Sequence, residues 1–320
     1  ALSRKNRMLR IIAIAVVICV CQLGVFINAP AQAEPIYKND ISRQLGLRIY
    51  EWDNLGDSTP RAIVVAIHAF LLDGTRYNTI AHALNEKNIR VLAPDMRGFG
   101  HWYRSKEPEK RKLDYKKSEA DIVELLNYLK KSYPNIPIIC MGESMGSNLL
   151  VDVIAKHQLK IDGLIISSPC AIRKRTMFRP RALCDVLISI ILPLRQIYLV
   201  PYFMEYAVDD DNIEVSQLTR TRMGLGDLLR TFGMLSKSMN QAQNVSASIP
   251  VLVIQGERDK LCKISKIKNL VTRLPSIEKT FDLVPHGGHL FLETDEIPHI
   301  VSTVIDQWLE KILQQWRNEK

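Results

Sequence analysis

The sequence predicts an α/β fold with a mostly parallel sheet that helices cover on both faces. Short apolar runs rich in β-branched residues alternate with longer amphipathic stretches, and this alternation is typical of parallel strands joined by right-handed helical crossovers. The runs are nearly continuous in apolar residues, which indicates strands buried on both faces. The predicted strands are Ala62–Ile67, Arg90–Ala93, Ile136–Cys140, Leu164–Ile166, Val251–Ile254 and Thr280–Val284.

Two helices are well marked. Ser118 and Asp121 have the spacing of a capping box, and a stripe at helical spacing follows them, made of Ile122, Leu125, Leu126 and Leu129. Pro134 bars continuation, so the first helix ends before it. The stretch from Ile297 to Trp316 also has helical spacing, and we expect it to pack on the sheet.

The alternation of strands and helices is interrupted between about Pro169 and Pro250. This region opens with basic residues and then carries many large apolar residues. An insertion that forms a helical cap over the sheet explains both the position and the composition of this region. We therefore predict a single domain over residues 34–320, with the cap at about residues 170–249.

The N-terminal segment resembles a targeting sequence. Four cations within the first ten residues precede an apolar run, and Ala31-Gln32-Ala33 satisfies the A-x-A cleavage pattern, so residues 1–33 have the three parts of a signal peptide. An uncleaved membrane anchor through residues 11–27 is the alternative, because that run is only slightly shorter than a membrane span. Either alternative implies export, which permits disulfides. The four cysteines after residue 33 allow three full pairings, among which the sequence does not choose, and Cys170 with Cys184 is the pair to test first.

The charge balance argues against nucleic acid as a partner. The chain has a net charge of +9, and removal of residues 1–33 leaves 39 basic against 34 acidic residues, a net charge of +5. These residues are scattered instead of forming a basic stripe. Local basic clusters at Lys106–Lys117 and Arg173–Arg181 suggest contact with an anionic membrane surface, and solvated protein faces are the alternative interpretation. No obligate protein partner is inferred.

The sequence Gly142-Glu143-Ser144-Met145-Gly146 carries the main chemical signal. It follows an apolar strand and precedes a helical stretch from Ser147 to Lys156, which is the setting of a G-x-S-x-G nucleophile elbow. Small neighbours permit the sharp turn at the serine, and the helix N-terminus directs partial positive charge at a developing oxyanion. We therefore predict Ser144 as a nucleophile.

A serine nucleophile needs a base, and the base needs a carboxylate. His289 follows the last predicted strand in the glycine-rich segment Pro285–His289, and His286 is its local competitor. Asp259 follows the strand Val251–Ile254, so both side chains are expected at carboxyl ends of strands. Two backbone amides must bind the oxyanion: that of Met145 and one from the loop at His68-Ala69-Phe70, which His68 braces.

These motifs, with Asp95–His101, occur in the order seen in monoacylglycerol lipase-like α/β-hydrolases, a group also called the serine aminopeptidase S33 or lysophospholipase-like family. The resemblance runs from about Ala62 to Trp308. It implies that the amide of Phe70 joins that of Met145 in the oxyanion hole, and that the cap admits lipid. Two positions depart from the family pattern. Ala69 stands where glycine is usual, and Leu71-Leu72-Asp73 replaces an acidic or histidine-bearing segment.

The sequence thus predicts a serine esterase or lipase in which Ser144, Asp259 and His289 form the catalytic triad. It needs no cofactor and no metal, since the triad and backbone amides supply the chemistry. The resemblance favours a small-molecule or lipid ester of the monoacylglycerol or lysophospholipid type. Two alternatives stay open: a peptidase or amidase of the same fold, and a catalytically silent lipid-binding or interaction module.

Overall fold

Seven strands form the main sheet in the computed structural model, which describes residues 39–52, 59–170, 180–192, 194–202 and 215–318. The strands of the described chain are β1 (Ile49–Trp52), β2 (Ala62–Ile67), β3 (Ile89–Pro94), β4 (Ile138–Glu143), β5 (Gly163–Ser167), β6 (Gln196–Tyr198), β7 (Arg222–Gly224), β8 (Val251–Gly256) and β9 (Lys279–Val284). The main sheet has the order β1-β3-β2-β4-β5-β8-β9. All its pairs are parallel except that of β1 with β3, which confirms the mostly parallel sheet.

The described helices are α1 (Asp40–Leu45), α2 (Asn78–Asn85), α3 (Gly100–Tyr103), α4 (Tyr115–Ser132), α5 (Met145–His157), α6 (Pro180–Ile191), α7 (Leu225–Gln241), α8 (Ile264–Arg273) and α9 (His299–Asn318). Three short 3₁₀ helices also lie in the described part, at Gly74–Tyr77, Pro108–Arg111 and Ala242–Asn244.

Apolar clusters lie on both faces of the sheet, as the nearly continuous apolar strands predicted. Alternate residues of β2 belong to different clusters. Ile63, Val65 and Ile67 share one cluster with residues of α4 and α5. Val64 and Ala66 share the other with residues of α2 and α9. The predicted C-terminal helix therefore covers the sheet, because its side chains belong to that second cluster.

Three sequence expectations about these elements are wrong in detail. The helix with the Ile122 stripe begins four residues earlier than the capping box indicated, because the side chain of Asp114 caps it by accepting from Lys117 N at 3.0 Å. Asp121 instead forms an ion pair with Arg97, 2.5 Å from Asp121 Oδ2 to Arg97 Nε. The strand at Thr280–Val284 is not buried on both faces, because it lies at the edge of the sheet and is partly exposed.

The insertion between β5 and β8 carries α6 and α7, as the helical cap predicted, together with an unforeseen two-stranded antiparallel ribbon of β6 and β7. Helix α7 packs on α5 through a buried polar contact, where Asn148 Nδ2 donates to Ser238 Oγ at 2.8 Å. The helix that follows the predicted nucleophile therefore lies under the cap.

The predicted signal peptide or anchor at residues 1–33 and most of the basic cluster at 173–181 lie outside the described residues. Within the described ranges, no helix combines the length and the apolar character needed to cross a membrane. The candidate pair Cys170 and Cys184 is not joined in a disulfide.

Candidate active site

Ser144 lies at a sharp turn between β4 and α5. Its φ is +50°, a left-handed value that is strained for a residue with a side chain. The Ser144 amide donates to Ser167 O at 2.8 Å, which ties the turn to β5. A Cβ on Gly146 would lie 1.9 Å from Ile67 O, so only glycine lets α5 begin this close to β2. The turn therefore has the geometry of a nucleophile elbow.

The structure brings Ser144, His289 and Asp259 together in one hydrogen-bonded chain. His289 Nε2 lies 2.8 Å from Ser144 Oγ, and His289 Nδ1 lies 2.8 Å from Asp259 Oδ2. All three side chains are buried. The three residues follow the carboxyl ends of β4, β8 and β9. Because parallel strands present their carboxyl ends at one edge of the sheet, the three side chains can meet there. This is the arrangement of a nucleophile, a base and an orienting carboxylate.

Asp259 is held in its ionised form by donors on both oxygens. Oδ1 accepts from the amides of Leu261 at 2.6 Å and Cys262 at 2.9 Å. Oδ2 accepts from Gln255 Nε2 at 2.7 Å, in addition to its contact with His289. Burial alone raises the pKa of this carboxyl, but the His289 imidazole and these donors outweigh it, so the pKa lies below its ordinary value of 3.8.

An ionised Asp259 can only accept, so Nδ1 of His289 carries the proton of the neutral ring and Nε2 is free to accept from Ser144. Burial lowers the pKa of His289, and the Asp259 carboxylate more than compensates, so the pKa lies above 6.5. The competitor His286 is largely exposed and lies 3.9 Å from Glu257 Oε2, away from the buried chain. Of the two histidines, His289 is therefore the one within hydrogen-bonding distance of Ser144.

Glu143, the residue before the serine, holds the loop that carries His289. Its Oε1 accepts from Phe291 N at 2.8 Å, and its Oε2 accepts from the amides of Leu292 and Glu293, each at 3.0 Å. Ser167 Oγ donates to the same carboxylate at 2.7 Å. The variable position of the G-x-S-x-G motif thus links the nucleophile turn to the histidine loop.

The loop after β2 is braced from two sides. Met96 N donates to His68 Nε2 at 3.1 Å, while His68 Nδ1 donates to Ala69 O at 2.9 Å. Burial lowers the pKa of His68 to about 4, so it is neutral and structural. The amide of Ala69 donates to Glu293 Oε1 at 2.6 Å. Burial, and then the charge of Glu143, raise the pKa of Glu293 well above its ordinary value.

The predicted oxyanion residues lie on two adjoining elements. Phe70 belongs to the braced loop after β2, and Met145 is the first residue of α5. The backbones meet directly, because a Cβ on Gly146 would approach both Ile67 O and His68 O. An N-terminal helix amide beside a loop amide is the usual arrangement of an oxyanion hole in enzymes with a nucleophile elbow.

One group of residues in the described chain has atoms close enough to hold a metal ion. The ligand atoms of Asp259, Cys262 and His289 lie within 4.8 Å of one another. Two of these three residues already form the Asp259–His289 hydrogen bond. The donor set therefore coincides with the candidate triad.

Three supporting residues were missed by sequence reasoning: Glu143, Gln255 and Glu293. The sequence marks Glu143 only as the variable residue of its motif, and Gln255 only as part of the segment before Asp259. A polar residue inside or directly after an otherwise apolar run was the available signal, since buried polar side chains require partners. For Glu293 no such signal exists, because its partner Ala69 is 224 positions away.

A sheet with this strand order, and with a serine, an acid and a histidine after β4, β8 and β9 at one edge, is an α/β-hydrolase fold, the class that the sequence predicted. The model of the serine aminopeptidase S33 family matches residues 58–296, more than half of the 320 residues. The chain therefore belongs to that family, which confirms the resemblance.

Named relatives agree with this membership. The monoglyceride lipase of Mus musculus is 24% identical over 291 residues, covering 88% of this chain and 92% of that protein. The monoacylglycerol lipase of Mycolicibacterium smegmatis is 23% identical over 264 residues, covering 79% and 89%. A solved structure of a soluble variant of monoglyceride lipase from Saccharomyces cerevisiae, in complex with a substrate analog, has a TM-score of 0.68. It is 20% identical and covers 82% of this chain and 91% of that chain.

Proposed function

We propose that this protein is a serine hydrolase that cleaves carboxylic esters through an acyl-Ser144 intermediate. The observation that carries the proposal is the continuous hydrogen-bonded chain from Asp259 through His289 to Ser144, at 2.8 Å for each step. Its placement on a strained elbow supports the same conclusion, since a structural serine does not need a left-handed backbone.

The reaction follows from the proton positions. His289 Nε2 accepts the Ser144 proton as Oγ attacks the ester carbonyl, and the negative charge on the carbonyl oxygen is bound by the amides of Phe70 and Met145. The ester C–O bond then breaks, and His289 returns its proton to the leaving alcohol. Water, deprotonated by His289, attacks the acyl-enzyme. The serine then leaves the second tetrahedral intermediate and regains its proton from His289.

For the substrate, we propose a monoacylglycerol or lysophospholipid type of ester. The proposal is supported by the named relatives and by the apolar cap, in which α6 and the residues after it expose Leu187, Ile188, Ile190, Ile191, Leu192 and Leu194. Exposed apolar residues grouped along the chain in this way are consistent with contact with lipid or protein. We propose that the cap rests on a lipid surface, from which a single-chain ester can enter.

Amide or peptide hydrolysis is the second candidate, because the family to which the chain belongs is described as a serine aminopeptidase family. The same proton path serves an amide, with an amine as the leaving group. A series of esters and aminoacyl p-nitroanilides, offered to the same preparation, distinguishes the two candidates by the ratio of their kcat/KM values.

The test is hydrolysis of p-nitrophenyl esters of increasing chain length and of monoacylglycerols by the full chain, beside Ser144→Ala. We expect the wild type to cleave them and Ser144→Ala to lose about 10⁴-fold or more in kcat. Ser248→Ala, which removes an exposed serine hydroxyl, is the matched control and should retain full activity. A folded wild type that cleaves neither esters nor amides would favour the silent lipid-binding module.

We further propose that the protein is exported, either with residues 1–33 cleaved or with residues 11–27 retained as an anchor. Fractionation of cells, followed by mass determination of the protein, distinguishes these fates. Cleavage yields a chain that begins at Glu34, whereas an anchor keeps the intact chain in the membrane fraction. An intact chain found only in the cytoplasm would contradict both.

A further inference from the structure

A short segment of the cap contacts the loop that carries Phe70. Arg220, between the ribbon strands in sequence and just before β7, donates its backbone amide to Leu71 O at 2.9 Å. Leu71 directly follows Phe70 and has a φ of +70°, a strained value for leucine. A backbone conformation of this kind persists only where its surroundings hold it, and this hydrogen bond is one of the contacts that do so.

The side chain of Arg220 anchors this segment to the body of the protein. It is 5% exposed. Nη1 donates to Gly98 O at 2.6 Å and to Arg111 O at 3.0 Å, and Nη2 lies 3.3 Å from Asp227 Oδ2 in the cap helix α7. A planar guanidinium can satisfy partners in several directions at once, whereas a lysine ammonium on a flexible stem cannot reproduce that geometry.

The guanidinium also lies against the aromatic residues that support Phe70. Its carbon is 6.0 Å from the centre of the Phe99 ring. Phe99 in turn meets Phe70 edge to face, with ring centres 6.4 Å apart, and meets His68 at 5.4 Å. Arg220 thus reaches the oxyanion loop by two routes, one through the backbone at Leu71 and one through the aromatic contact at Phe99.

A second bridge joins the cap to the other oxyanion residue. Thr231 Oγ1 donates to Asp227 O at 2.9 Å and lies 2.8 Å from Tyr115 Oη. Tyr115 Oη is also 3.2 Å from Met145 Sδ. Since Asp227 is the acidic partner of Arg220, one polar network in the cap contacts the surroundings of both Phe70 and Met145.

We propose that Arg220 is a positioning residue that holds the Phe70 amide in its oxyanion-binding orientation, so that the cap completes the oxyanion hole as well as admitting substrate. This inference rests on the proposed ester hydrolysis. It predicts that the chemical step depends on a cap residue even for a small, soluble ester that does not need the cap for binding. A cap that only binds lipid would affect KM and leave that step alone.

The test compares Arg220→Met and Arg220→Lys with wild type on p-nitrophenyl acetate. We expect Arg220→Met to lower kcat by about tenfold to a hundredfold, because small displacements of catalytic groups cost this much, with KM changed by less than about twofold. Arg220→Lys should recover part of the loss. Arg222→Met is the matched control: Arg222 stacks on Tyr198 within the cap ribbon, at 5.5 Å, and its loss should leave kcat unchanged.

Wild-type kcat in Arg220→Met, or a loss confined to KM, would overturn the inference. So would an equal loss in Arg222→Met. If Arg220→Met does not fold, Thr231→Val and Asp227→Asn replace it, since both weaken the same network at nearly constant side-chain shape. Each of these variants should lower kcat at unchanged KM. Wild-type kcat in both would overturn the inference. A folded wild type with no esterase activity would contradict the proposed function and therefore this inference as well. An active wild type with unchanged kcat in Arg220→Met would contradict only the role of Arg220.

Discussion

Two buried carboxyl groups, one in the candidate triad and one beside it, have opposite electrostatic surroundings. Four donors surround Asp259, and its pKa lies below the ordinary value. Glu293 is fully buried beside a second carboxylate, and its pKa lies well above the ordinary value. Asp259 is therefore suited to stabilise an imidazolium on His289, whereas burial favours the protonated form of Glu293, which accepts from the Ala69 amide. Surroundings that shift the pKa values of two carboxyl groups in opposite directions suit the groups to different roles in one site.

The charge of Asp259 makes the activity of this enzyme depend on pH in a defined direction. The base must be neutral to accept the Ser144 proton, so kcat/KM falls as the pH drops through the pKa of His289. Because Asp259 raises that pKa above 6.5, the acid limb of the wild-type profile should lie above pH 6.5. Asp259→Asn removes the negative charge beside His289 and favours the tautomer of His289 that cannot accept the serine proton. The acid limb of the kcat/KM profile should therefore move to lower pH. The plateau value of kcat/KM should fall by about 10³–10⁴-fold.

The pH dependence of kcat/KM on a short ester checks this expectation. Glu257→Gln is the matched control, since Glu257 is half-exposed beside His286 and outside the hydrogen-bonded chain; its profile should match the wild type. An acid limb that stays at the same pH in Asp259→Asn would contradict the assigned role of the carboxylate.

At the scale of elements, the site depends on how closely α5 and the histidine loop approach the strands. Gly146 places the start of α5 against the carbonyl of Ile67 at the end of β2. Gly256 has the same role at the end of β8, where a Cβ would lie 1.9 Å from Gly288 O in the histidine loop. Both neighbours are backbone atoms, so no rotation of a side chain can relieve a clash there. The glycines therefore determine the spacing between the catalytic elements.

Gly146→Ala should consequently lower the free energy of unfolding by about 3 kcal/mol or more, the upper range for overpacked sites, and abolish ester hydrolysis. Gly233→Ala is the opposite case. Gly233 lies inside α7, and a methyl group added there would meet nothing within 4 Å, so alanine should raise the free energy of unfolding by about 1 kcal/mol through its better helix propensity. Urea denaturation of both variants measures the difference. Equal effects of the two substitutions would contradict the steric interpretation.

At the scale of the whole molecule, exposed apolar residues are concentrated in one part of the cap. Ile190, Ile191 and Leu194 are 62%, 77% and 96% exposed, and they lie within five positions of one another at the end of α6 and just beyond it. Isolated exposed apolar residues are common on soluble proteins, but a cluster needs an explanation. Under the proposed function, the explanation is a lipid surface that supplies substrate to the cap.

Ile191→Glu should therefore weaken binding of the protein to phosphatidylcholine vesicles by about tenfold or more, since burial of an isoleucine side chain contributes about 1.5–3 kcal/mol. Hydrolysis of p-nitrophenyl acetate in solution should not change. Ile277→Glu, at a position 88% exposed outside the cap, is the matched control and should bind vesicles like the wild type. Flotation of protein with vesicles measures both. Equal binding by Ile191→Glu and the wild type would exclude contact through this part of the cap.

The sequence by itself determined the type of sheet, most strand positions, the elbow at Ser144 and the chain order of serine, acid and histidine. These features depend on local patterns. Apolar runs predict buried strands, glycines around a serine predict a sharp turn, and polar residues directly after strands predict the carboxyl edge of a parallel sheet. Family resemblance added Phe70, whose position in the loop after β2 the structure describes.

Only the tertiary structure decided which residues support that site. Glu143 binds the loop at 291–293, Glu293 binds Ala69, and Arg220 joins the cap to Gly98. The tertiary structure also decided that Cys170 and Cys184 are not joined in a disulfide. The partners in the three contacts lie more than 100 positions apart along the chain, and the approach of distant segments depends on the packing of the whole fold. Local periodicity carries no record of such contacts, although it records most of the strands of the main sheet that bring them about.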